Sequence, residues 1–146
     1  MNAERLKPYF ILAEFTDEER EVLSELLEER ELPNGKSAFR EGAESEGLFL
    51  LDRGRLKLKS RRTGSVVGTL DAPQHLAAAS LFCFGAHEVS ALADGPCRIL
   101  VLPRSGLSRL ADEEPRAAFR LAETVARELA GLMRHGLEAL VEGDLV

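Results

Sequence analysis

Few side chains in this sequence could do chemistry, and most of them fall between residues 75 and 97. His75, His87 and His135 are the only histidines, and Cys83 and Cys97 the only cysteines. His75 and His87 flank a run of small and apolar residues, Leu76, Ala77, Ala78, Ala79 and Ser80, with Cys83 just beyond. Two imidazoles around a short apolar stretch could serve one cavity as metal ligands, with Cys83 as a soft third donor. The favoured reading is a pair of surface or loop histidines, because spacing alone carries no ligation geometry. Other chemistry is missing. A jelly-roll metalloenzyme needs closely spaced histidines of the H-x-H kind, and these stand 12 and 48 positions apart. No G-x-S-x-G elbow and no G-x-x-x-x-G-K phosphate loop occurs, so the chain reads as non-enzymatic. The cysteines lack C-x-x-C spacing and sit among apolar residues, as reduced, core-facing thiols of a cytoplasmic protein do.

The remaining charged feature is a basic stripe, Arg53, Arg55, Lys57, Lys59, Arg61 and Arg62. It reads as an anion contact or as a solvated strand face that discourages edge pairing. No aromatics are interleaved with the charges, which favours the solvated face. The net charge of −6 over 146 residues argues against a broad nucleic-acid surface. A hydrophobic content of 45% with 30% charged residues fits one globular domain with a real core. No apolar run approaches the ~20 residues of a membrane span, and no signal peptide is visible.

Several elements must hold these residues in place. Thr16 followed by Glu19 forms a capping box, which predicts a helix over Thr16–Arg30 with Val22, Leu23, Leu26 and Leu27 on one face. Pro33-Asn34-Gly35 ends it. From Lys36 to Leu102 the pattern is short strands between glycine turns, with a turn at Asp52–Gly54 and a hairpin tip at Thr63-Gly64. Leu56 and Leu58 alternate with Arg55, Lys57 and Lys59, so the leucines face the core. This suggests a jelly roll. Ser105 reads as the cap of a short helix through Ala111, and Pro115 suits the first turn of a long helix from Asp112 to Glu142. On that helix Phe119, Ala122, Ala126, Leu129, Met133, Gly136 and Leu140 form a heptad seam. A second stripe, Ala118, Leu121, Val125 and Leu132, lies beside it. One stripe can cover the barrel while the other meets a second copy of the chain, so a homodimer is expected.

In order and spacing, these segments resemble the cyclic-nucleotide-binding-like sensor domain of the CRP/FNR family of bacterial transcription regulators. LKPYFILAEF (6–15) resembles its lead-in and LPNGKSAFREG (32–42) its first barrel strands. GLFLLDRGRLKLK (47–59) resembles its strand–turn–strand segment, and the stretch from Asp71 to Arg104 its phosphate-binding cassette. The implied fold is mainly β with flanking helices, a double-stranded β-helix with a long C-terminal dimerisation helix. The expected division of a single sensor domain, 1–146, is a helical segment over 1–30, a jelly roll over 31–103 and helices over 105–142. The family places a helix-turn-helix domain after the long helix, so DNA contact would come only through a C-terminal domain absent from this chain.

The cassette of nucleotide-binding members carries a Gly-Glu pair opening a short helix and an Arg-Ser/Thr-Ala triplet beginning the next strand. Helix-terminal amides and the arginine neutralise the cyclic phosphate, and the glutamate accepts from the ribose. Aligned on Ser80-Leu81-Phe82, Ala77 and Ala78 take the Gly-Glu places, and His87, Glu88 and Val89 take those of the triplet. Ala78 cannot accept a hydrogen bond, His87 is no bidentate guanidinium, and Glu88 would oppose a phosphate. The resemblance thus implies an effector-sensing, dimerising regulator domain that does not bind cyclic nucleotides in the usual way. Some members of the family hold haem, which leaves His87 and His75 as haem-ligand candidates in an apolar pocket. A ligand-free interaction module is the other alternative.

Overall fold

The computed structural model describes residues 2–143; Met1 and residues 144–146, the ends of the expected 1–146 domain, lie outside the described residues. Two short 3-10 turns, Ala3–Leu6 and Phe10–Leu12, lead into α1 (Asp17–Leu26). Six strands follow: β1 (Glu28–Leu32), β2 (Ser37–Phe39), β3 (Gly47–Ser60), β4 (Ser65–Asp71), β5 (Gln74–Leu76) and β6 (Ser90–Pro103), with a 3-10 turn at Ala78–Leu81 between the last two. Helices α2 (Arg104–Glu113) and α3 (Pro115–Glu142) complete the fold. All pairings are antiparallel in the order β1-β6-β3-β4, with β2 on β6 and β5 on β3.

The capping box forms as read: Thr16 Oγ1 accepts from the Glu19 amide at 3.2 Å, and Glu19 Oε1 accepts from the Thr16 amide at 2.8 Å. The helix stops at Leu26, however, not at Arg30. Glu28–Leu32 instead pair with β6, from Glu28 opposite Val101 to Leu32 opposite Cys97. Helix-favouring glutamates are overridden by this ladder and by its charges: Arg98 meets Glu31 at 2.5 Å and Arg30 meets Glu46 at 2.9 Å. The strand region therefore begins at residue 28 rather than 31.

The expected turn at Asp52–Gly54 is a bulge within one continuous strand. The β3–β6 register shifts between Leu51 and Arg53 and again between Arg53 and Arg55. Gly54 has φ +93°, and a Cβ there would stand 2.5 Å from the Pro96 carbonyl oxygen, so only glycine fits. The bend lets β3 and β6 serve two cores. Before it, Leu48 and Leu50 face a helix-side core with Leu100 and Leu102, against Leu23, Leu110, Leu121 and Val125. Phe49 and Leu51, on the opposite pleat, join Ile99, Val101, Leu56 and Ala91 inside the barrel.

The C-terminal boundaries also shift. α2 begins at Arg104, with Pro103 in the cap position, so Ser105 lies inside the first turn rather than capping it. α3 begins at Pro115 rather than Asp112, with the proline in its first turn.

Candidate functional site

The cassette hangs from β5, whose register fixes the side each residue faces. Leu76 pairs with Phe49 and His75 with Leu50. Paired residues share a face, so Leu76 enters the barrel with Phe49, whereas His75 projects to the helix side with Leu50. There the His75 Nε2 lies 2.7 Å from Glu128 Oε1 of α3. Ala77 follows in the left-handed region, φ 58° and ψ 28°. That conformation favours glycine, and Ala77 is the residue expected in the cassette glycine's place. Ala78 and Leu81 are buried in the helix-side core, and Ala77, Ala79 and Ser80 are half-buried. The Ser80 hydroxyl contacts that of Ser45, and its carbonyl accepts from Arg104 Nη1 at 2.7 Å.

On the far side of the cassette the structure moves the triplet. β6 opens at Ser90, so the Ser-Ala pair at the head of the strand is Ser90-Ala91, and the residue before that pair is Val89, immediately outside the strand, rather than His87. The arginine's place falls on Val89, half-buried and uncharged. The serine was retained at Ser90 and missed. The Ser-Ala dipeptide itself was the available signal, obscured by the unknown length of the loop before it. The Ser90 hydroxyl accepts from the Glu41 amide at 2.9 Å, and Ala91 is fully buried.

His87 instead fills space. It is 7% exposed and stacks on Phe39 with ring centroids 3.8 Å apart and planes 10° from parallel. Its other neighbour is Phe49, edge-on at 6.1 Å. The Nε2 is buried without a hydrogen-bond partner. Burial lowers the imidazole pKa below its ordinary value, outweighing the nearby Glu88 and Glu46, so the neutral ring is favoured.

His75 and His87 were expected near one cavity. They lie on opposite faces of the sheet, His75 toward α3 and His87 toward the barrel interior. Cys83 is exposed, contrary to the expectation for both thiols, while Cys97 is buried. Glu88 is exposed. Among the described residues no group of three or more His, Cys, Asp or Glu side chains could hold a metal ion. These residues do not fit haem: one candidate imidazole is packed against a phenyl ring, and the other is engaged by a carboxylate.

On α3 the two stripes separate. Leu121 and Val125 are buried against the barrel's helix-side core, with Ala118 packed beside them. Phe119, Leu129, Met133 and Leu140 are 62%, 49%, 70% and 58% exposed. Ala126 is exposed and Ala122 half-buried. Leu132, expected on the covering stripe, is also exposed, because no residue of α3 beyond Val125 is buried. No helix among the described residues is long and apolar enough to cross a membrane.

Comparison with known proteins fits this architecture. No curated protein matches the chain. Among solved structures, the N-terminal domain of a transcriptional regulator from Streptomyces coelicolor shares 24% identity. The match covers 90% of this chain and 95% of that one, with a TM-score of 0.77. The catabolite activator protein of Thermus thermophilus is also 24% identical, over 90% of this chain but 62% of its own, with a TM-score of 0.75. A cyclic nucleotide-binding domain from Methylobacillus flagellatus is 18% identical over 99% of this chain and 83% of its own, with a TM-score of 0.77. At such identities these likenesses speak for the fold. The sequence profile of the cyclic nucleotide-binding domain matches residues 29–114, the stretch from β1 through α2, and the chain belongs to that family.

Proposed function

We propose that this chain is the effector-sensing and dimerisation domain of a CRP/FNR-type transcription regulator and that it does not take cyclic nucleotides in the usual way. The observation that carries the reading is the filled barrel. Phe39 and His87 are stacked edge-on to Phe49, and no glutamate or arginine stands at Ala78 or Val89. A nucleotide would have to displace packed rings and bury a phosphate without a cation. The apolar row on α3 supports dimerisation, because a second copy would cover Phe119, Ala122, Ala126, Leu129, Met133 and Leu140. Two contacts would carry cassette movement to that row: Arg104 of α2 on the Ser80 carbonyl, and Glu128 of α3 on His75. In this reading 2–143 form one sensor domain without catalytic chemistry, and DNA contact belongs to a domain following α3.

Calorimetry with cyclic AMP and cyclic GMP tests it. The expected dissociation constants are at or above roughly a millimolar, about −4 kcal/mol or weaker. Micromolar binding of either would overturn it.

A further inference from the structure

The outer face of the barrel carries a groove on the side of β6 turned away from the barrel interior. It has a volume of about 760 Å³, and its lining includes Lys36, Arg40, Lys59, Arg61, Ser90 and Leu92. The floor is the outward pleat of β6: Ala91 and Ala93 point into the barrel core, which turns Ser90 and Leu92 outward. Ser37 of β2 pairs with Leu92, and Lys59 of β3 with Ser90, so both flanking strands send side chains to this face. One wall is the chain around β2 and the other is the tip of the β3–β4 hairpin.

The walls are tied together. The Glu41 carboxylate accepts from the Arg61 amide at 3.0 Å and from its Nε at 3.3 Å. Gly42 at φ +84° leaves room for that guanidinium, since a Cβ there would meet Arg61 Nη2 at 3.3 Å. Arg40 is steadied by donating from Nε to the Ser37 hydroxyl at 3.3 Å. The groove's acid is thereby neutralised by its own arginine. Lys57, on the same strand but outside the lining, is engaged by Asp94 at 3.6 Å. Lys36, Arg40 and Lys59 take part in no ion pair among the described residues, leaving three uncompensated cations around one concavity of a chain whose net charge is −6.

We infer that this groove is a binding site for a small polyanion, a phosphorylated metabolite with at least two negative charges, separate from the barrel interior. Converging cations and hydroxyls beside Leu92 suit a phosphate group joined to an organic part. Solvated strand cations that merely discourage pairing would not need to be held around a concavity. The site shares Ser90 with the cassette but opens on the outer face of β6 rather than into the barrel, so pyrophosphate binding can fail without touching the regulator reading.

The test is calorimetry of the whole chain with inorganic pyrophosphate at low ionic strength. Binding is expected below roughly a millimolar, weakened about tenfold by Lys36→Ala and by Lys59→Ala. Lys57→Ala should leave it unchanged, and circular dichroism should show all three variants folded. No binding at millimolar pyrophosphate overturns the proposal, and so does equal weakening by Lys57→Ala, which would mean diffuse charge attraction only. Duplex DNA that binds while pyrophosphate does not overturns it too, in favour of a nucleic-acid surface.

Discussion

Phe39, His87 and Phe49 inside the barrel, and Phe119, Leu129 and Met133 along α3, are two apolar groupings in opposite circumstances. The first three touch one another, with Phe49 and His87 buried and Phe39 half-buried; the second three are largely bare. Where the family keeps polar anchors for a ligand, this chain has rings and alanines that satisfy one another. Where a lone domain would place polar residues, it keeps large hydrophobics. In the proposed reading the barrel interior serves as core and the bare face of α3 is where a second copy docks.

Truncation on the two sides breaks that comparison most sharply. Phe49→Ala should cost about 3–5 kcal/mol of unfolding free energy, because it empties space beside Phe39 and His87. Phe119→Ala should change the unfolding of dilute protein by no more than about 0.5 kcal/mol. Urea titrations of both variants at low concentration measure the difference. Equal losses would mean that the α3 face is not bare in solution.

The helix side is sharpened by Leu129→Asp. A carboxylate in the middle of the row should weaken self-association by at least about a hundredfold, as a buried, unpaired charge does. Sedimentation across micromolar concentrations reads this directly. A wild-type chain that is monomeric there would remove the case for the seam.

A third variant concerns how α3 is anchored. Burial opposes ionisation of Glu19, yet hydrogen bonds from Thr16 and the Arg116 guanidinium hold its pKa below the usual carboxylate range. Glu19 is buried and meets Arg116 at 2.7 Å. Glu19→Ala removes the capping box's reciprocal bond to the Thr16 amide and the Arg116 pair together and should cost about 2 kcal/mol. The Glu123 carboxylate, paired with Arg120 at 2.9 Å, is more open to solvent than that of Glu19, so Glu123→Ala should stay within about 0.5 kcal/mol. Thermal melts of the two variants should rank in that order, and a reversed rank would show that the buried pair does not anchor α3.

What the sequence made legible was local. The Thr16/Glu19 capping box, the Thr63-Gly64 hairpin tip and Pro115 in the first turn of α3 all rest on neighbours a few positions apart. The misread features depend on distant partners. Glu28–Arg30 looked helical until β6, some 70 residues later, supplied a ladder. Asp52–Gly54 looked like a turn because the demand on Gly54 comes from Pro96. The site was half legible: Ala77 and Ala78 stand beside a recognisable Ser-Leu-Phe. The His87 stack on Phe39 joins residues 48 positions apart across a loop of unforeseen length, and nothing near His87 announces it.

The smallest expected effect tests whether His87 has become core. Its folded-state pKa is lowered, first by burial, against the opposing pull of Glu88 and Glu46. A group whose folded pKa lies below its unfolded one binds more protons when unfolded, so its contribution is fully present above the unfolded value, near 6.5, and is lost as pH falls from there toward the folded pKa. One such histidine changes stability by at most ~1.4 kcal/mol per pH unit. Glu19 and Glu46, whose pKa values are held below 4.5, lose their contributions at more acidic pH and do not obscure this window. Unfolding of the wild type and of His87→Phe should be compared between pH 7.5 and 5.5. The wild type should weaken on acidification and the variant, which keeps the stacked ring without the titrating nitrogen, should show a flatter slope. Identical slopes would mean that His87 reaches water, and with it that the barrel interior is open enough to admit a ligand after all.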